Sequence, residues 1–349
     1  MPETFALFQG FTDATGLAFW LPLAAAAAIG FSVAMYVLMD GFDLGVGILF
    51  PGAAKSEWRD AMMVSVAPVW DGNETWLVMG GGGLLALFPL AYATLLPAYY
   101  LPITVMLLAL ILRGVAFEFR FKTEAHKPFW SVAFHGGSVI ATVSQGIVLG
   151  AFAEGRATLE GAGIWSWLTP FSLFVGVALL AGYGLLGATW IVKKTEGELQ
   201  AWAREVAQRL VVVVALAMVI VSVWMPLTAP EVAERWFAWP NIAWLAPVPL
   251  MAGALCVAIF IGLRSGGEDV PFYCSFALFL TGYAGLAVSL FPYLVPGRYD
   301  IWEAAAGPAS LSFALVGVVV MIPIILGYTL YNYHVFRGKV RIEDVEGYH

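Results

Sequence analysis

From Thr75 to Leu112 the chain runs through 38 residues without a single Asp, Glu, Lys or Arg. A helix needs roughly 20 apolar residues to cross the hydrocarbon core of a bilayer. This stretch is therefore too long for one crossing and long enough for two. Its middle, PLAYATLLPAYYLP, carries three prolines, which can turn the chain between two helices. The rest of the sequence follows the same pattern. Of the 349 residues, 61% are hydrophobic and 12% are charged, against roughly 25% charged in a soluble domain. Lipid must be the solvent for most of such a chain. Runs that qualify as spans lie near 17–39, 70–90, 94–113, 128–152, 168–192, 210–229, 241–263, 271–295 and 308–334, so the expectation is an all-α polytopic membrane protein of about nine transmembrane helices.

The loops orient it. Taken alternately from the first helix onward, one side holds Lys55, Arg59, Arg113, Arg120, Lys122, Lys127, Lys193, Lys194, Arg204, Arg209, Arg264, Arg337, Lys339 and Arg341. The other holds Arg156, Arg235 and Arg298. Cytoplasmic loops carry the excess of Lys and Arg, which puts the N-terminus outside and the C-terminus in the cytoplasm. The N-terminal MPETFALFQGFTDATG has no Lys or Arg, so it lacks the basic n-region of a signal peptide, and the first apolar run reads as a retained helix. Tryptophans near helix ends, among them Trp20, Trp130 and Trp224, read as an interfacial belt. Gly176, Gly182, Gly184 and Gly187 suit close helix packing. No segment is long enough for a soluble domain, and no basic patch suggests a nucleic-acid partner.

Charges at membrane depth are costly and mark function by default. The first helix ends MDGFDLGVGILFP, with Asp40 and Asp43 on one helical face. The second begins APVWDGNETWLV, with Asp71 and Glu74 at the same spacing. The third ends ILRGVAFEFR, with Arg113 and Glu118 late in it. Given the alternating directions, all three sets fall at a similar depth on the cytoplasmic side, and Arg113 is the obvious counter-ion. Two readings stand together. The arginine can pin three helices through Asp40, Asp43 or Asp71, or the carboxylates can form a wet inlet that passes protons inward. In the fourth helix Ser131, His135, Ser138, Thr142 and Gln145 line one face, suited to carrying water or to bonding between helices.

Haem ligation needs axial His, Met or Cys. Of the four histidines, His126, His334 and His349 lie at or beyond helix ends, and His135 alone is deep. Cys256 and Cys274 stand apart, without the spacing of a disulfide or zinc site. Nothing in the chain reads as a metal site or a redox centre of its own.

Three blocks carry a resemblance. YVLMDGFDLGVGILFP, APVWDGNETWLVMGGGGLLALFP and RGVAFEFR, in that order and spacing, resemble the signature of subunit II of the cytochrome bd quinol oxidases, and MIPIILGYTLYNYHVF is similar to the family's C-terminal run. The resemblance implies a haem-free subunit of a bacterial terminal oxidase in the cytoplasmic (inner) membrane. It implies a heterodimer with a subunit I that holds haem b and haem d, a quinol as electron donor, and oxygen reduced to water with cytoplasmic protons. A quinone is bound to subunit II in some members, and the resemblance leaves room for a small single-helix subunit. The implied fold is two four-helix bundles, 17–152 and 168–295, with a ninth helix at 308–334 and a cytoplasmic tail at 335–349. Residue by residue, Asp71 matches an Asp of a proton pathway toward the partner's haems, Asp40 and Asp43 match acids of the same polar region, and Arg113 matches the Arg ending the third helix. Trp76 matches a Trp near the mouth of an apolar oxygen channel. Glu74 stands where many members have Gln, and Ser131 lies near a position that is Asp in some. Gly80, Gly81, Gly82 and Gly83 together with the short loops suggest the branch that includes cyanide-insensitive oxidases. Two other classes compete. A secondary transporter would need an inverted repeat and a midplane ion site, which charges gathered at one face disfavour. A purely structural membrane partner would need only the buried ion cluster.

Overall fold

The computed structural model describes residues 16–123, 125–158 and 163–341. The expectations for the N-terminal residues 1–15, for His349 and for the tail beyond residue 341 lie outside these. The described chain is helical almost throughout. It comprises α1 (Leu17–Leu49), α2 (Ser56–Val66), α3 (Trp70–Leu87), α4 (Pro89–Ala98), α5 (Tyr100–Arg120), α6 (Lys127–Ala153), α7 (Pro170–Lys194), α8 (Gly197–Thr228), α9 (Pro230–Phe237), α10 (Asn241–Leu245), α11 (Pro247–Arg264), α12 (Asp269–Leu290), α13 (Ile301–Ala304) and α14 (Pro308–Val335). A small antiparallel hairpin, β1 (Tyr293–Val295) with β2 (Tyr299–Asp300), sits between α12 and α13.

Among the described residues, eight helices are long and apolar enough to cross a membrane. They answer to eight of the nine expected runs. The remaining run, 70–90, is helical as α3, but its 18 residues include Asp71, Asn73, Glu74 and four consecutive glycines, which lower its apolarity below that of a free-standing span. It packs instead along α1. Boundaries differ where local chemistry overrides the apolar run. α1 continues to Leu49, ten residues past the expected end, so Asp40 and Asp43 lie inside a helix and not at its tip. The proline-rich segment expected to turn is itself the ten-residue helix α4, with Pro89 in its first turn, where a missing N–H costs nothing.

α7 and α13 start on side-chain caps. The Thr169 hydroxyl accepts from the Ser172 backbone N–H at 3.0 Å and the Ser172 hydroxyl accepts from Thr169 N–H at 2.9 Å, a reciprocal cap with Pro170 in the first turn. The central packing is glycine-driven. A methyl group on Gly45 would strike the Tyr183 carbonyl oxygen and stand 2.7 Å from Gly187 N. α1 and α7 therefore cross with backbones in contact. Gly176 meets Gly146 of α6 in the same manner, and Gly182 makes room for the Phe279 ring of α12. Around the crossing, Phe42 stacks on Trp190 at 4.3 Å between ring centres, and Phe272 joins them. α5 packs on α6, α6 on α7, α7 on α1 and α8, and α11 on α12. This arrangement sets the acidic motif of α1 at the meeting of α3, α5, α6 and α7.

Candidate functional site

The site is built on α1. Asp40 and Asp43, one helical turn apart, are both fully buried. Arg113 of α5 is also fully buried; its Nη1 donates to Asp40 Oδ1 at 2.6 Å and its Nη2 to Glu74 Oε2 of α3 at 3.1 Å. The guanidinium lies 5.9 Å from the ring centre of Trp70, and Trp70 stacks on Phe117 with 4.9 Å between centres. Arg113 can sit this deep because α6 offers no side chain there: a methyl group on Gly137 would lie 2.6 Å from the Ala109 carbonyl oxygen and 3.1 Å from Arg113 Cβ. Asp43 takes a different partner. Asn73 Nδ2 donates to Asp43 Oδ2 at 2.7 Å, and the Tyr333 hydroxyl of α14 donates to Asn73 Oδ1 at 3.0 Å. Among the described residues, Asp40 Oδ2 and Asp43 Oδ1 meet no protein donor.

The fourth-helix face continues the polar region along α1. Gln145 Nε2 donates to the Tyr36 hydroxyl at 2.7 Å, and the Tyr183 hydroxyl donates to Gln145 Oε1 at 2.9 Å. Tyr36 lies one turn before Asp40 on the same face. Ser138 is buried, bonds back to the Phe134 carbonyl, and touches Gly47 of α1. His135 Nδ1 lies 3.0 Å from the Gly47 carbonyl oxygen, so that nitrogen is assigned the proton. Thr142 is buried, and among the described residues its hydroxyl has no protein partner. Ser131 accepts from Arg120 Nε at 3.0 Å. The face thus packs on α1, α5 and α7, and three of its members bridge helices.

The structure brings together Asp40, Asp43, Glu74 and Arg113, and leaves two expected members out. Glu118 points away: its carboxylate is 65% exposed and pairs with Lys122 at 2.8 Å. The reason is helical phase, since five residues from Arg113 turn it by about 140° around the axis. Asp71 sits on the exposed first turn of α3 and makes no ion pair with Arg113 among the described residues. Trp76 is fully buried, edge-on to Phe31 at 5.7 Å between ring centres.

Sequence reading passed over several partners. Asn73 stands inside the DGNET block and could have been noticed as a lone amide beside two acids. Tyr333, Tyr36 and Tyr183 carry no local signal, because their partners are distant in sequence. A second buried ion group was also missed: Asp60 of α2 pairs with Arg120 at 2.6 Å and Lys127 at 3.0 Å, with the Arg120 guanidinium 5.1 Å from the Phe50 ring centre.

Haem would need an axial His, Met or Cys, and the described histidines are placed for other contacts. His135 has its ring nitrogen turned to a backbone carbonyl between α1 and α6, and His126 and His334 are exposed at helix ends. Among the described residues, no group of three or more His, Cys, Asp or Glu could hold a metal ion.

Fold and site define a class: a multi-pass helical membrane protein with a buried carboxylate–arginine cluster where its first, third and fifth helices meet. The sequence matches the family described as cytochrome bd terminal oxidase subunit II over residues 21–336, and the chain belongs to that family. It is a subunit of a bd-type terminal oxidase, a component of a quinol oxidase complex in the bacterial inner membrane, and the family implies a partner subunit I that carries the haems. The cytochrome bd ubiquinol oxidase subunit 2 of Bacillus subtilis is 30% identical over 342 residues, covering 92% of this chain and 96% of the relative. The cytochrome bd-I ubiquinol oxidase subunit 2 of Escherichia coli K12 is 28% identical over 370 residues, covering 94% and 96%. The bd oxidase structure from Geobacillus thermodenitrificans shares the fold, with a TM-score of 0.74 at 16% identity, covering 91% of this chain and 98% of that one.

Proposed function

We propose that this subunit serves the oxygen chemistry of its haem-bearing partner as a proton inlet, entering at Asp71 and Glu74 and reaching Asp40 and Asp43. The reading includes nine crossings in two four-helix bundles plus α14, the N-terminus outside, and the acidic motifs toward the cytoplasm. A quinol is the electron donor, as the names of the Bacillus subtilis and Escherichia coli relatives say of those oxidases. The partner's haems supply the electron-transfer and oxygen chemistry, and the residues of this chain hold and hand on protons.

The carrying observation is a graded burial of carboxylates around one cation. Asp71 is exposed, Glu74 has 24% of its side chain exposed, and Asp40 has none. Three carboxyl groups, Asp40, Asp43 and Glu74, surround a single guanidinium. The ion pair consumes one unit of charge, so the cluster keeps acid groups able to take up and release protons. The unsatisfied oxygens of Asp40 and Asp43 suit ordered water, the usual partner of buried polar atoms that lack a protein one. Trp76, sealed against Phe31, is kept in this reading as part of the wall of an apolar oxygen route.

A structural reading has its own observation: Arg113 ties α1, α3 and α5 together. One experiment separates the two. Asp71→Asn and Glu74→Gln are introduced into the assembled oxidase, haem content is checked by its spectrum, and oxygen consumption and proton uptake are measured. The inlet predicts turnover lowered by roughly tenfold or more with haems in place. Normal turnover with normal proton uptake in both variants overturns it, and loss of haem from the complex supports the brace instead.

A further inference from the structure

Away from the acidic cluster, α8 and α11 enclose an open groove of about 470 Å³ lined by Glu205, Gln208, Arg209, Val212, Phe260 and Arg264. We propose that this groove binds an anionic phospholipid, its phosphate held between Arg209 and Arg264 and its acyl chains laid along α8 and α11.

The argument starts from where the two arginines stand. Arg264 is the last residue of α11, and Arg209 immediately precedes the apolar run of α8 that begins at Leu210. Both therefore mark the boundary between membrane and water, at the end of the molecule that carries the basic loops. Their charges are weakly spent. Arg209 meets Glu205 only at 3.8 Å, with both side chains largely exposed, and exposed pairs of this kind contribute little. Arg264 lies over the Phe260 ring at 4.7 Å and has no ion-pair partner among the described residues. Two cations against one carboxylate leave the groove net positive. Arg204, on the same side, is held by the carbonyls of Leu263 and Gly267 at 2.9 Å each, which ties α8 to the end of α11 beside the groove.

The rest of the groove matches the remainder of a lipid. From Val212 the exposed face of α8 continues through Leu216 and Val219, and α11 continues through Ile261 and Val257. An anionic headgroup site on the basic side, opening onto a continuous apolar wall, fits a phospholipid. A free phosphate would make no use of that wall.

The test uses the assembled oxidase in phosphatidylcholine nanodiscs titrated with dioleoyl phosphatidylglycerol, with retained lipid counted by native mass spectrometry and the haem spectrum checked throughout. Arg209→Gln and Arg264→Gln are each expected to weaken retention roughly fivefold, the attraction expected of one basic side chain near an anionic surface. Glu205→Gln is expected to strengthen it, a sign that damaged folding would not give. Inorganic phosphate in excess should not displace the lipid. Equal retention by the wild type and the Arg209→Gln/Arg264→Gln double variant overturns the proposal. So does displacement by inorganic phosphate, which would mean a free-anion site, or equal retention of phosphatidylcholine, which would mean an apolar surface without headgroup recognition.

Discussion

Arg113 Nη1 of α5 lies 2.6 Å from Asp40 Oδ1 of α1, and neither side chain has any exposed surface. The two are 73 residues apart in sequence, so the pair forms only when α1 and α5 have come together. It is a registry device as much as a charge pair. A buried ion pair adds little net stability over apolar residues of the same shape, yet removing one partner strands the other.

Arg113→Gln should therefore be severe. It leaves Asp40 and Glu74 without their cation and should cost about 3–5 kcal/mol, lowering the yield of haem-loaded complex and its thermal transition. The double variant Arg113→Gln/Asp40→Asn should recover much of that loss, since two neutral amides can bond to each other. Equal destabilisation in single and double variants, measured by thermal unfolding of purified complex, would show that the pair is not the coupled unit.

The α1–α7 crossing makes a steric prediction. Gly45→Ala would drive a methyl group into the Tyr183 carbonyl and toward Gly187 N, backbone atoms that cannot swing aside. The helices must separate, at a cost of about 1–3 kcal/mol for overpacking. Gly282→Ala is the control, because nothing lies within 4 Å of a methyl group there, and it should be neutral or slightly stabilising. A thermal transition for Gly45→Ala equal to that of Gly282→Ala would refute the close crossing.

How far these relations were legible varies with their range. The apolar runs located eight spans, because lipid solvent imposes a length that sequence must meet. Asp40, Asp43, Glu74 and Arg113 were legible as costly charges at one depth. Glu118 was misjudged because depth alone was used, and its phase around α5 turns it outward. α3 stands at the expected place but is less apolar than the other spans, because its acids and glycines replace aliphatic side chains, and it packs along α1. Tyr333 was not legible at all: its hydrogen bond to Asn73 spans 260 residues, and nothing local to NYH announces a partner. The same holds for Asp60 with Arg120, where each residue reads alone as a surface charge.

The Asn73 side chain gives a sharper test of the second aspartate. It donates to Asp43 at 2.7 Å and accepts from Tyr333 at 3.0 Å, linking α1, α3 and α14. Asn73→Ala removes that donor from a buried carboxylate and should cost about 1–3 kcal/mol. Tyr333→Phe removes only the outer link and should cost about 1 kcal/mol. Thermal unfolding of the two variants should rank them in that order, and the reverse ranking would mean that the anchoring of α14 matters more than the solvation of Asp43.

The last relation predicts a dependence on pH. Glu268, between α11 and α12, accepts from Lys339 at 2.8 Å and from Gln200 at 2.9 Å. The Lys339 hydrogen bond first, then that of Gln200, holds its carboxyl below the usual glutamate range. A lowered value means the charged form is favoured by folding, so the contact is fully present above the unfolded glutamate value of about 4.3. It weakens as pH falls below that and is lost once pH passes the lowered folded value. What it holds is the chain after α14, where Val340 N–H donates to the Lys194 carbonyl at 2.8 Å and Lys194 Nζ donates to the Gly338 carbonyl at 2.9 Å. Acidification through that window should raise hydrogen exchange at Val340, after correction for the intrinsic rate, while the protection of α7 stays constant. Glu268→Gln should abolish the step and leave the exchange rate flat across the window. A step of unchanged size in that variant would place the titrating group elsewhere and leave Glu268 as a bystander to the tail.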